Sequence, residues 1–132
     1  MNKMVRASRN VLSQYATFSG RASRPELWWW FLAVLITLMI TSLIDAALID
    51  PLLGLERTAD EAARPLSVLV SIALIVPNLA VGARRLHDTG RTGWWLLIGL
   101  VPIVGPLALI YFYVQPSASG DNEWGARRPL GD

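Results

Sequence analysis

Residues 27–44 read LWWWFLAVLITLMITSLI, eighteen positions from Leu27 to Ile44 without a charged side chain. A hydrocarbon core of ~30 Å takes roughly 20 apolar residues of helix, so a run of this length spans a bilayer when its flanks anchor it. The pattern recurs twice. Pro65 to Ala83 is nineteen charge-free residues, and Thr92 to Gly120 is charge-free with an apolar core of twenty-two residues from Gly93 to Val114. The fold class that follows is all-α integral membrane. Three transmembrane helices are expected over 24–48, 65–83 and 93–115, with a short N-terminal interfacial amphipathic helix over 3–18 and a polar tail over 116–132.

Composition points the same way. The chain is 53% hydrophobic and 17% charged, shifted in both directions from soluble domains at about 45–50% and about 25%. Once three spans are taken from 132 residues, the remaining segments are too short to bury a core of their own, so we expect a single membrane domain over 1–132. There is no cysteine and one histidine, which leaves no thiolate chemistry and no His-based metal site; no metal and no cofactor are expected. The first apolar run begins at residue 27 and is longer than the 7–15 residues of a signal peptide's apolar region, so it reads as a retained anchor. Ser23 and Glu26 have capping-box spacing, and Pro25 falls in the first helical turn, where its missing N–H costs little.

Charge orients the chain. Lys3, Arg6, Arg9, Arg21 and Arg24 precede the first span, and Arg84, Arg85 and Arg91 lie between the second and third; Arg57, Arg64, Arg127 and Arg128 fall on the other side of a three-span protein. Eight cations against four place the N-terminus and the 84–91 loop in the cytoplasm by the positive-inside rule. Aromatic residues agree: Trp94 and Trp95 open the third segment and Tyr111 and Tyr113 close it. Trp95 and Tyr111 are sixteen residues apart, about 24 Å of helix, which suits two interfacial girdles. A competing reading makes the third segment a re-entrant hairpin broken at Pro102-Ile103-Val104-Gly105-Pro106, because prolines near mid-span free backbone groups that lipid does not satisfy.

Within the spans, Ser67, Ser71, Asn78 and Gly82 fall on one helical stripe, a pattern for interhelical packing and hydrogen bonding. Asn78 is expected to serve a carbonyl freed by Pro77 or to reach Thr37 or Thr41. No ionisable residue lies inside the three charge-free runs, which argues against an ion-coupled transporter. Met4, Val11, Leu12, Tyr15 and Phe18 share a face of the N-terminal segment while Lys3, Arg6 and Arg9 lie away from it, the pattern of a helix on an anionic leaflet. Net charge is only +2 and no nucleic-acid-binding module is present, so no nucleic-acid partner is expected.

The densest chemistry is Arg84-Arg85-Leu86-His87-Asp88-Thr89-Gly90-Arg91-Thr92-Gly93-Trp94-Trp95. Taken with Phe18-Ser19-Gly20-Arg21-Ala22-Ser23-Arg24-Pro25-Glu26-Leu27-Trp28 and Gly120-Asp121-Asn122-Glu123-Trp124-Gly125, it resembles the bacterial family catalogued as domain of unknown function 805, the YhaH-like inner-membrane proteins. The resemblance covers roughly residues 11 to 129. It implies a multi-pass protein of the bacterial inner membrane and no particular activity. Trp124 stands where this family more often carries Tyr.

From the residues themselves, Asp88-Thr89-Gly90 is turn chemistry. Arg21, Arg24, Glu26, Arg84, Arg85, His87, Asp88 and Arg91 are expected to gather at the cytoplasmic interface. On a functional reading the arginines bind an anion, such as a lipid phosphate, and His87 beside Asp88 titrates near neutral pH. On a structural reading Asp88 pairs with Arg84 or Arg85, or with Arg21 or Arg24, and locks helix ends. The leading expectation is a non-enzymatic accessory or adaptor that binds anionic lipid headgroups or a membrane partner there. The rivals are an oligomeric channel or small-solute exporter using Ser67, Ser71 and Asn78, and a lipid-phosphate enzyme using His87. No catalytic residue is assigned.

Overall fold

The computed structural model describes residues 2–54 and 64–126. Arg57, Arg127 and Arg128 of the orientation argument lie outside them. Among the described residues the regular structure is helical: α1 (Asn2–Ser13), α2 (Arg24–Ile44), a π-helical turn (Asp45–Ile49), α3 (Asp50–Leu52), α4 (Pro65–Asp88), a 3-10 arm (Gly93–Leu100) and α5 (Val104–Val114). Two helical runs, Arg24–Leu52 and Pro65–Asp88, are long and apolar enough to cross a bilayer, and α5 is a shorter apolar helix. They carry large apolar side chains outward, with Met39 59%, Leu43 69%, Leu69 65% and Ile72 59% exposed. An apolar surface this continuous is rare on a water-soluble monomer.

The chain forms two compact units, Met1–Phe31 with Val76–Asp132, and Leu32–Ile75. In the second unit the π-helical turn buries Asp45, whose carboxylate oxygens accept from the backbone N–H of Leu66 at 2.9 Å and of Ser67 at 2.8 Å. These are orphan donors at the start of α4, and a negative charge there also suits the helix dipole. Ser67 Oγ adds a bond to Thr41 Oγ1 at 3.2 Å.

In the first unit α1 ends at Ser13, earlier than the expected 18, and buries Ala7 and Val11. The start of α2 follows the cap expectation, with the Glu26 N–H donating to Ser23 Oγ at 3.4 Å. Trp30 Nε1 donates to Asn78 Oδ1 at 2.8 Å and ties α2 to α4. The end of α4 runs five residues past the expected 83, so Arg84 to Asp88 are helical rather than loop.

The third segment is not the single helix expected over 93–115, and its break falls where the competing hairpin reading puts it, at Pro102 to Pro106. It is broken after Leu100, turns through Val101 to Ile103, and returns as α5 packed against the 3-10 arm. Pro102 and Pro106 interrupt the helical bonding ladder here. The turn depends on close backbone approach. Ile103 takes φ +68°, and a Cβ built on Gly105 would stand 1.8 Å from the Ile98 carbonyl oxygen. Eight 3-10 residues rise about 16 Å and eleven α-helical residues about 16 Å, so each arm is about half the ~30 Å hydrocarbon thickness.

Candidate functional site

The site is built on the last turn of α4, where Arg84, Arg85, Leu86, His87 and Asp88 are all buried. A Schellman motif ends that helix: Arg91 N–H donates to the Leu86 carbonyl at 2.8 Å and Gly90 N–H to that of His87 at 3.0 Å. Gly90 at φ +82° supplies the left-handed residue this motif needs. The chain turns sharply there and leaves the polar ends of four side chains facing neighbouring segments.

Asp88 is the centre. Its Oδ1 accepts from Arg21 Nε at 2.8 Å, and its Oδ2 accepts from Arg85 Nη1 and from Ser117 Oγ. The guanidinium of Arg21 then donates to the carbonyls of Gly120 at 2.7 Å, Ala118 at 2.8 Å and Gly125 at 3.2 Å. That of Arg85 donates to the carbonyls of Tyr113 at 3.0 Å, Ala22 at 3.2 Å and Gln115. Main-chain bonds close the same seam, from Ala22 N–H to the Arg84 carbonyl at 3.0 Å and from Ala118 N–H to that of Asp88 at 2.7 Å. One carboxylate between two guanidiniums leaves a buried excess of positive charge, and the ring of carbonyl dipoles stabilises it. Beside them Arg84 Nη1 pairs with Glu26 at 3.3 Å.

His87 joins the cluster through its backbone and its ring. Nδ1 lies 2.9 Å from the Gly20 carbonyl oxygen; a carbonyl only accepts, so Nδ1 carries the proton and Nε2 holds the lone pair of the neutral ring. The imidazole is stacked on the indole of Trp124, centroids 4.6 Å apart and planes 4° from parallel. Asn122 Nδ2 donates to the His87 carbonyl at 2.9 Å, while its Oδ1 accepts from Trp124 N–H at 2.9 Å and shapes the turn that presents the indole. His87 and Trp124 both line a cavity of about 650 Å³.

Of the expected residues, the structure gathers Arg21, Glu26, Arg84, Arg85, His87 and Asp88. It leaves two outside. Arg24 is exposed and donates to the Val114 carbonyl at 3.2 Å, and the Arg91 guanidinium sits 4.4 Å above the Phe112 ring. The expected Ser67, Ser71 and Asn78 stripe divides: Ser67 bonds Thr41, Ser71 is exposed, and Asn78 takes Trp30 in place of the Thr37 or Thr41 expected. Gly82 of that stripe admits Tyr113, whose hydroxyl would stand 2.8 Å from a Cβ there. Sequence reasoning missed Tyr113, Ser117 and the carbonyls of 113–125 as cluster members. The Gly120–Gly125 motif carried a signal, but a third full span places it across the bilayer from Arg84 to Arg91.

Residues 15–126 match the family described as "Protein of unknown function (DUF805)". The chain belongs to the DUF805 family. It is similar to "Inner membrane protein YhaI" of Escherichia coli (strain K12), 40% identical over 116 residues, which cover 88% of this chain and 89% of that protein. It is also similar to "Inner membrane protein YhaH" of the same organism, 37% identical over 115 residues, 87% of this chain and 89% of the relative. No solved structure matches it with significance. The DUF805 match takes in the whole cluster, from Arg21 to Gly125.

Proposed function

We propose that this protein is a multi-pass protein of the bacterial inner membrane with a non-enzymatic, accessory role, docked by its cytoplasmic face on anionic lipid. Two helices, α2 and α4, cross the bilayer, and the third segment enters and returns as a re-entrant hairpin. The N-terminus, the end of α4 and the tail then share the cytoplasmic side. The observation that carries this reading is the binding of carbonyls 113–125 by Arg21 and Arg85, because it returns the tail to the basic end of α4. Names of the relatives and the two long apolar helices support the membrane placement.

On this reading Arg21 and Arg85 are a clasp, not an anion receptor, since their donors are spent on Asp88 and on carbonyls. Lipid phosphate is met instead by exposed cations, namely Lys3, Arg6 and Arg9 on α1 and Arg24 at the start of α2. Mass spectrometry of the intact detergent-purified protein is expected to find retained phosphatidylglycerol, reduced severalfold in the Lys3→Ala/Arg6→Ala/Arg9→Ala/Arg24→Ala variant. Equal retention would remove the lipid role. Topology has its own check in a single cysteine at Ser119: protection from a membrane-impermeant thiol reagent in intact cells, with labelling on lysis, is expected, whereas labelling in intact cells overturns the hairpin.

A further inference from the structure

The cavity beside the clasp is absorbed neither by the helix packing nor by the arginine cluster. It is lined by Leu79 and Ala83 of α4, by Leu96 and Leu97 of the 3-10 arm, and by His87 and Trp124. Its volume of about 650 Å³ lies within the ~300–1,000 Å³ typical of small-molecule sites. The lining is mainly apolar, with His87 and Thr92 among its few polar side chains.

His87 is the group that gives the cavity chemistry. The residue is 7% exposed, its Nδ1 is used by Gly20, and its ring is clamped by Trp124. Nε2 has no hydrogen-bond partner among the described residues. It is not sealed in protein, and His87 lines the cavity, so a ligand there meets an accessible acceptor. Gly93 lies beside it, since a Cβ there would stand 3.5 Å from Nε2. With the proton fixed on Nδ1, Nε2 accepts and does not donate, so the missing partner is a donor.

We propose that the cavity is a binding site for one bilayer phospholipid whose head group carries a hydrogen-bond donor, an ammonium or a hydroxyl. The head group donates to His87 Nε2, and an acyl chain lies along Leu79 and Leu97. This rests on the membrane placement argued above but not on the exposed cations. A free water-soluble ligand fits less well, because the lining is mainly apolar and its leucines belong to segments that face lipid.

Phosphatidylethanolamine and phosphatidylcholine separate this site from the anionic-surface role: neither has net charge, and only the first has a donor in its head group. The full-length protein, purified in detergent, is titrated with each lipid and read by mass spectrometry of the intact complex. One phosphatidylethanolamine is expected to be retained per chain with about tenfold preference over phosphatidylcholine, the ratio one hydrogen bond supplies. His87→Phe, which keeps a ring against Trp124, is expected to abolish the preference. Leu97→Trp, at an exposed position in the lining, is expected to reduce retention of both lipids without touching the clasp, and so serves even if the first variant fails to fold. Equal retention of the two lipids by the wild type, or unchanged retention in Leu97→Trp, overturns the site. Loss of phosphatidylglycerol in the four-cation variant with the phosphatidylethanolamine preference intact would leave both roles standing; the preference surviving without any phosphatidylglycerol dependence would leave this one alone.

Discussion

The imidazole of His87 lies flat on the indole of Trp124, 4.6 Å between centroids, and the two residues are brought together by a tail that returns to the end of α4. Aromatic pairs of this kind contribute ~0.5–1.5 kcal/mol beyond their buried area. Trp124→Ala is therefore expected to speed amide exchange in residues 118–125 about fivefold or more, while Trp124→Phe stays close to wild type. Exchange measured by mass spectrometry on the detergent-solubilised protein decides it.

Asp88 is the shared counter-charge of Arg21 and Arg85. Asp88→Asn keeps the shape and removes the charge, leaving two buried cations without a counter-charge; breaking a buried pair in this way costs ~3–5 kcal/mol. We expect a thermal midpoint lowered by many degrees, and a tail newly open to protease between Tyr113 and Gly125. A midpoint within 2 °C or so of the wild type would mean that the carbonyl ring alone holds the arginines.

Arg85 bonds Asp88 and the carbonyls of Tyr113, Ala22 and Gln115 from one planar group. A lysine ammonium has three donors from a single point and does not reproduce that fork. Arg85→Lys, though charge is conserved, is expected to destabilise nearly as much as Arg85→Ala in a chemical unfolding series. Near-complete rescue by Lys would reduce the site to simple charge pairing.

The hairpin turn depends on Gly105. A methyl there meets the Ile98 carbonyl oxygen at 1.8 Å, a contact with backbone that side-chain rotation does not relieve. Gly105→Ala is expected to cost ~3 kcal/mol or more, at or above the top of the usual overpacking range, and to reduce the yield of monodisperse protein sharply. Gly99→Ala meets only the end of the Leu109 side chain, at 3.0 Å, and should cost far less. Similar yields for the two would count against the observed turn.

Asp45 caps α4 from a distance of twenty-one residues, through two backbone donors. Its replacement by alanine removes both bonds and is expected to destabilise by ~1–3 kcal/mol, with Asp45→Asn intermediate. Far-ultraviolet circular dichroism during heating reads the loss.

Much of this was legible in the residues. The charge-free runs marked α2 and α4, Ser23 and Pro25 marked the start of α2, and the grouping of Arg21, Arg84, Arg85, His87 and Asp88 followed from two basic motifs assigned to one side. The length of the third run was misleading. Twenty-two apolar residues satisfy the requirement for a span equally well as one straight helix or as two half-length arms, and hydrophobicity alone does not distinguish them.

The sequence by itself determined that the chain is helical and apolar enough to live in a bilayer, because backbone hydrogen bonding without water leaves helices as the solution for such runs. It also determined which cations sit near one another in order along the chain. Tertiary structure alone decided that the third segment turns back and that the tail closes over Asp88. The acceptors that hold the tail are main-chain carbonyls, which every residue carries and no pattern of side chains announces, and the turn that delivers them rests on a gap at Gly105 that exists only once Ile98 is packed against it.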